Sequence, residues 1–275
     1  MSRVALQAAV TMGQLQNKMD VIGNNMANVN TTGYKTRQSE FSSLLFQQLN
    51  NLTDPANAEG RLTPDGIRIG NGARLSNTTI DLKQGALKET GRLLDAALLK
   101  DNHLFQVSVT ENGETETQFT RAGNFYLNPL ENDQVMLTNE NGHPMMGDAG
   151  PIVLADDFDG ISITSSGAIE VTRNGNTEVE DQLSLVEAVR PQLLEAVGTN
   201  NFRLSEQTEA NFNVDEIIPF VNPADVEIKT GALENSNVDM AKQMTDLVSS
   251  QRVYQLNARS ISMSDQMQGL INQLR

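Results

Sequence analysis

Asp156-Asp157-Phe158-Asp159-Gly160 puts three carboxylates within four positions ahead of a glycine, which is how a calcium-binding loop begins. Such a loop needs further oxygen ligands and a closing glutamate to surround a hard cation. Both are missing at the required positions, so the stretch reads as a solvated acidic turn. The two histidines, His103 and His143, lie outside any HExxH or H-x-E context, and no histidine metal site is expected. Gly70-Asn71-Gly72 lacks the later glycine and the lysine of a phosphate loop and reads as a turn. There is no Gly-x-Ser-x-Gly elbow and no cysteine, which removes a serine-hydrolase elbow, a thiol nucleophile, a thiolate metal site and any disulfide. Gln251, Arg252 and Arg259 read as polar contacts between packed helices, with no partner for catalysis. The residues therefore point to no enzyme, no cofactor and no metal.

The organisation of the chain is more informative than its reactive groups. All eight prolines lie between Pro55 and Pro223. Residues 1–40 carry four basic side chains against two acidic ones, and residues 236–275 carry four against three. The net charge of −15 therefore comes from the middle. An acidic middle keeps a unit soluble, and without a basic cluster nucleic acid is not an expected partner. Hydrophobic residues make up 38% and aromatics 4%. That is lean for one compact core and fits an elongated molecule whose ends bury their apolar stripes against neighbours. No run of apolar residues is long enough to cross a membrane, so no membrane insertion is expected. Gln7, Thr11, Gln14 and Gln16 interrupt the N-terminal segment, and a cleaved secretory leader is not expected.

Two helices are predicted at the ends. Ala8, Met12, Leu15, Met19, Ile22, Met26 and Val29 step by 4 and 3 in alternation, the spacing of a coiled-coil seam. Gly13 and Gly23 weaken that helix by about 1 kcal/mol each relative to alanine. Asn28, Asn30 and Thr31-Thr32-Gly33 supply its stop. Met240, Met244, Leu247, Gln251, Tyr254, Ala258 and Ile261 repeat the stepping, with Ser236 or Asn237 as the expected N-cap. Met12, Met19, Met26, Met240, Met244, Met263 and Met267 are seven of the eleven methionines, and methionine tolerates imperfect packing. These fourteen stripe residues are the candidate assembly interface. Two arrangements fit them: pairing with other copies, or a two-helix bundle inside one monomer.

The middle alternates with a period of two. Phe105, Val107 and Val109 alternate with Gln106 and Ser108, and Ile161 and Ile163 with Ser162 and Thr164. Ile169 and Val171 share a face, and Leu183, Leu185 and Val186 begin a further strand. Glu111-Asn112-Gly113 and Asn174-Gly175 are hairpin turns. The reading is an α+β chain. Residues 1–33 plus 236–275 form a helical, coiled-coil-like assembly domain, 34–79 plus 206–235 form extended connectors, and 80–205 form a central antiparallel β domain.

At this level of detail the sequence resembles a known family. Ala27-Asn28-Val29-Asn30-Thr31-Thr32-Gly33-Tyr34-Lys35 followed by Phe41-Ser42-Ser43-Leu44-Leu45 is similar to the N-terminal signature of the bacterial flagellar rod and hook proteins. Gly231-Ala232-Leu233-Glu234-Asn235-Ser236-Asn237-Val238-Asp239, with Gln251-Arg252-Val253-Tyr254-Gln255-Leu256-Asn257, resembles the C-terminal one. Leu94-Asp95-Ala96-Ala97-Leu98, Leu104-Phe105-Gln106-Val107 and Phe119-Thr120-Arg121-Ala122-Gly123-Asn124-Phe125 resemble the β-domain motifs. The length suits the distal-rod type rather than the longer hook protein. The chain departs from the family at Arg3-Val4-Ala5-Leu6, where an Arg-Gly-Leu-aromatic run is usual, and at His103-Leu104-Phe105, which replaces Gly-Phe-Phe.

The resemblance implies a subunit that polymerises through both termini, with itself and with other rod and hook subunits, the β domain lying outside. It implies passage through the flagellar type III export apparatus as an unfolded chain. Phe41 and Leu45, an aromatic and an aliphatic residue four apart, match the family's export signal, although both are also placed to pack where the chain leaves the first helix. A second function class fits the same layout: a secreted adhesin or binding module that uses its helices only to oligomerise. The absence of tryptophan counts against that reading.

Overall fold

The structure is a computed structural model that describes residues 3–43, 47–49, 67–69, 73–111 and 113–273. Leu45, Gly70-Asn71-Gly72, Asn112 and Leu274 lie outside the described residues. The described part is α+β, with one long helix near each end and antiparallel strands between them. Four α-helices occur among these residues: α1 (Arg3–Ala27), α2 (Glu206–Asn211), α3 (Val214–Ile217) and α4 (Met240–Gln273). The chain divides into two compact units. One comprises Met1–Asn24, Gln38–Thr78 and Ala241–Arg275, the other Asn25–Arg37 and Thr79–Met240.

In the first unit the absence of proline and the 4/3 apolar stepping sustain α1 over 25 residues. Ala5, Ala8, Leu15 and Ile22 are buried along it. The strands Arg37–Ser43 and Ala73–Ile80 pair as a ribbon, and Gln47–Leu49 pairs antiparallel with Ile67–Ile69. Side chains of α1 tie these parts together. Gln14 Oε1 accepts the Leu75 N–H at 2.8 Å, Gln16 Nε2 donates to the Tyr254 hydroxyl of α4 at 3.4 Å, and the Lys18 ammonium sits 5.3 Å above the Phe41 ring.

Helix α4 opens at Met240, so neither Ser236 nor Asn237 is its N-cap. The Asn237 amide is spent elsewhere, on the backbone of residues 36, 81 and 83. The buried residues of α4 are Gln243, Ser250 and Ser264, with Leu247, Tyr254, Asn257 and Ile261 half-buried between them. Its covered face therefore also steps by 4 and 3, but it is largely polar.

The second unit is the β body. Its largest sheet has five strands, antiparallel at every pairing, in the order Leu185–Glu187, His103–Glu111, Glu114–Thr120, Asn201–Leu204, Leu194–Val197. The second strand of that order, His103–Glu111, separates two cores, because successive side chains of a strand point to opposite faces. Phe105, Val107 and Val109 enter one core with Leu98, Phe125, Leu137, Met145, Ile152 and Ile169. Leu104 enters the other with Phe119, Val186, Phe202 and Ile217. Phe105 and Phe125 meet edge to face, their centroids 5.2 Å apart. Each such side chain contributes roughly 1.5–3 kcal/mol by leaving water.

Two three-stranded sheets, 126–130/134–138/153–155 and 160–163/168–173/176–182, close the first core. The expected turn at Asn174-Gly175 has φ of 50° and 81°, the left-handed pair that a two-residue hairpin demands. Within the stretch read as the second connector, Ile228–Thr230 pairs with Ala96–Leu98 and Ala232–Glu234 with Leu87–Glu89. The chain thus returns to the β body before α4 begins.

Candidate functional site

Three stretches far apart in sequence converge in the β body. The first is prepared by Asn25, whose Oδ1 accepts the Tyr34 hydroxyl at 2.9 Å and the Arg37 N–H at 3.0 Å, while its Nδ2 donates to the Arg37 carbonyl at 2.8 Å. Between them, Gly33 turns the chain with φ of +69°. A Cβ on Gly33 would stand 2.4 Å from the Ala122 nitrogen, so the backbone at residue 33 seats directly on residues 121–122. Thr36 donates through N and Oγ1 to Asn237 Oδ1, both at 2.7 Å, and Asn237 Nδ2 donates to the carbonyls of Asp81 and Lys83.

At the centre is Glu234. Its Oε1 lies 2.6 Å from Lys35 Nζ and accepts the Gly85 N–H at 2.7 Å, and its Oε2 accepts Arg121 Nε at 2.6 Å. All three charged side chains are fully enclosed. The Glu234 carbonyl also accepts the Gly33 N–H at 2.9 Å. One carboxylate faces two cations, and backbone oxygens offset the excess positive charge. Lys35 Nζ donates to the Lys83 carbonyl, and the Arg121 guanidinium donates to those of Leu98, Asp101 and His103. Burial pulls the Lys35 ammonium down to about 8, with Glu234 opposing the fall and Arg121 adding to it. Burial also raises the Tyr34 phenol. A lysine near 8 suits nucleophilic chemistry, but this one is sealed from solvent, with two of its hydrogens given to the Lys83 carbonyl and to Glu234. The cluster joins the three stretches at one point.

Lys35, Arg121 and Glu234 each stand inside a motif of the sequence, but nothing local marks them as a group, and Lys35 and Glu234 fall in the stretches expected to be extended connectors.

The predicted interface residues divide. On α1, Ala8, Leu15 and Ile22 are buried and Met12, Met19, Met26 and, just beyond the helix, Val29 are half-buried. On α4, Leu247, Tyr254, Ala258 and Ile261 are half-buried, whereas Met240, Met244 and Gln251 are exposed. Met263, Met267, Leu270 and Ile271 are exposed as well. Phe41 is exposed beneath Lys18, and Leu45 is outside the described residues.

In the acidic turn, Asp157 pairs with Arg173 and Asp159 accepts the Asn174 N–H at 2.9 Å, so these carboxylates brace a hairpin. His103 is buried in the strand and its pKa is lowered by that burial. Among the described residues no group of three or more His, Asp or Glu is placed to hold a metal, and no helix is long and apolar enough to cross a membrane.

Three family descriptions match the chain: flagella basal body rod protein at residues 6–35, flagellar hook protein FlgE/F/G D1 domain at 99–171, and flagellar basal body rod FlgEFG protein C-terminal at 229–274. Each contributes one member of the buried cluster, Lys35, Arg121 and Glu234 in turn. The chain is 37% identical to the flagellar hook-basal body complex protein FlhP of Bacillus subtilis over the whole of both chains. It is 33% identical to the flagellar basal-body rod protein FlgG of Agrobacterium fabrum over 96% of each chain, and 32% identical to that of Bacillus subtilis over 95% of each.

Proposed function

Because this chain belongs to the flagellar basal-body rod and hook protein family, we propose that it polymerises through its terminal helices, in coiled-coil-like contacts with further copies of itself and with its rod and hook neighbours. It is a structural subunit of the flagellar basal body and assembles with other rod and hook subunits. These relatives are a hook-basal body complex protein and basal-body rod proteins, and the adhesin reading finds no support among them. The observation that carries the assignment is colinearity: similarity runs from end to end, through both helices and the β body. The exposed apolar side chains of α4, among them Met244, Leu256, Met263, Met267 and Leu270, support polymerisation through the termini.

The chain reaches its place through the flagellar type III export apparatus, with Phe41 and Leu45 as the recognition pair. It performs no catalysis, and its work is to hold neighbours in register. Deleting the gene and examining purified hook-basal bodies by electron microscopy tests the assignment. A truncated or absent rod, restored by the intact gene, is the expected result. Complete basal bodies of normal length in the deletion strain would overturn it.

A further inference from the structure

We propose that the Lys35–Glu234–Arg121 junction is a two-way latch, in which the N-terminal segment 31–37 and the C-terminal segment 228–237 are seated on the β body together and released together. The proposal rests on the geometry of the junction and does not depend on the flagellar assignment. Each segment holds what the other needs. If residues 228–237 lift away, Lys35 and Arg121 remain as two enclosed cations without their carboxylate. If residues 31–37 lift away, Glu234 loses Lys35 at Oε1, its carbonyl loses the Gly33 N–H, and the seat over Ala122 is vacated. An enclosed charge that loses its partner is strongly unfavourable, and water entering to relieve it destroys the packing that holds the remaining segment.

A second tie repeats the logic. Thr36 and Asn237 join the same two segments, and Asn237 also grips the carbonyls of Asp81 and Lys83. Lys83 receives both Lys35 and Asn237, so the two ties share an anchor. Among the described residues no other carboxylate lies within ion-pair distance of Lys35 Nζ or Arg121, Asp101 acting on Lys35 only at longer range, which leaves Glu234 as the common element. Coupling of this kind is reciprocal by thermodynamic necessity: the factor by which release of one segment eases release of the other is the same in both directions.

Hydrogen exchange on the full-length chain tests the latch. The Lys35→Met variant keeps the Arg121–Glu234 pair and alters only the N-terminal segment. It should accelerate exchange in Ile228–Thr230, the strand paired with Ala96–Leu98, by about tenfold, the ratio that one pKa unit of lost interaction represents. Glu234→Gln should accelerate exchange in residues 33–37 at least as much, and the double variant should match the faster single variant rather than multiply the two. Exchange in Phe105–Val109 should not change in Lys35→Met. If Lys35→Met accelerates only its own segment, the latch is overturned, and this arm reads out even if Glu234→Gln does not fold. Multiplying effects in the double variant would equally overturn it.

Discussion

Glu234 Oε1 and Lys35 Nζ are 2.6 Å apart although 199 residues separate them, and neither side chain touches solvent. The last part of the N-terminal segment and the return of the chain toward α4 are therefore fastened at one point. The consequence is electrostatic as well as mechanical, because an enclosed lysine sharing its carboxylate with Arg121 holds its proton less tightly than a free one.

That gives a pH dependence with a definite sign. In the unfolded chain Lys35 keeps its proton to about 10.4, whereas in the folded protein it titrates at about 8. Between these values the unfolded state binds more protons, so the Lys35 contribution to stability rises with pH. Urea unfolding across this window should show the wild type gaining stability relative to Lys35→Met as pH passes 8. Comparison with the variant cancels the contributions common to both proteins. Parallel pH curves for the two proteins would contradict the assignment.

Two glycines should respond in opposite directions to alanine. Gly23 lies inside α1 with open space where a Cβ would go, so Gly23→Ala should raise stability by up to about 1 kcal/mol. Gly33 has φ of +69° and the Ala122 backbone at 2.4 Å from its would-be Cβ. Gly33→Ala should lose about 1–2 kcal/mol to the left-handed backbone alone, and more to the collision. Thermal melts of the two variants check both signs, and a neutral Gly33→Ala would show that the seat on residues 121–122 is loose.

The exposed side of α4 offers a test of assembly without disturbing the monomer. Met267 is 59% exposed, so Met267→Asp should leave the melting temperature of the single chain unchanged. In a subunit contact the same charge would be buried without a partner, at a cost of roughly 3–5 kcal/mol. Cells carrying the variant should export the protein, fail to incorporate it and lose motility. Normal swimming would remove this face of α4 from the interface.

Export makes a separate prediction. Changing Phe41 and Leu45 together to alanine should keep the protein inside the cell with its β body intact. Fractionation and blotting of the medium from a hook-less strain measures this, alongside the melting temperature of the retained protein. Secretion at the normal level would leave both residues as packing side chains only.

Short-range patterns were sufficient for much of this molecule. A proline-free run with 4/3 apolar stepping marks α1, and Phe105, Val107 and Val109 declare a strand through their alternation. Asn174-Gly175 marks its hairpin because few residue pairs accept that backbone. Colinear motifs were enough to indicate the family. Three things were settled only by the tertiary fold. The covered face of α4 runs through Gln243, Ser250 and Ser264, because apolar residues lie on several sides of that helix and stepping alone fits more than one face. The expected caps Ser236 and Asn237 precede the helix start, since the Asn237 amide is claimed by segments far away in sequence. Lys35, Arg121 and Glu234 meet because strand pairing at 87–89/232–234 and 96–98/228–230 brings them together. Periodicity reports which residues share a face, a property of neighbours along the chain. Which distant charge a buried lysine finds is decided by topology, and no local pattern encodes that.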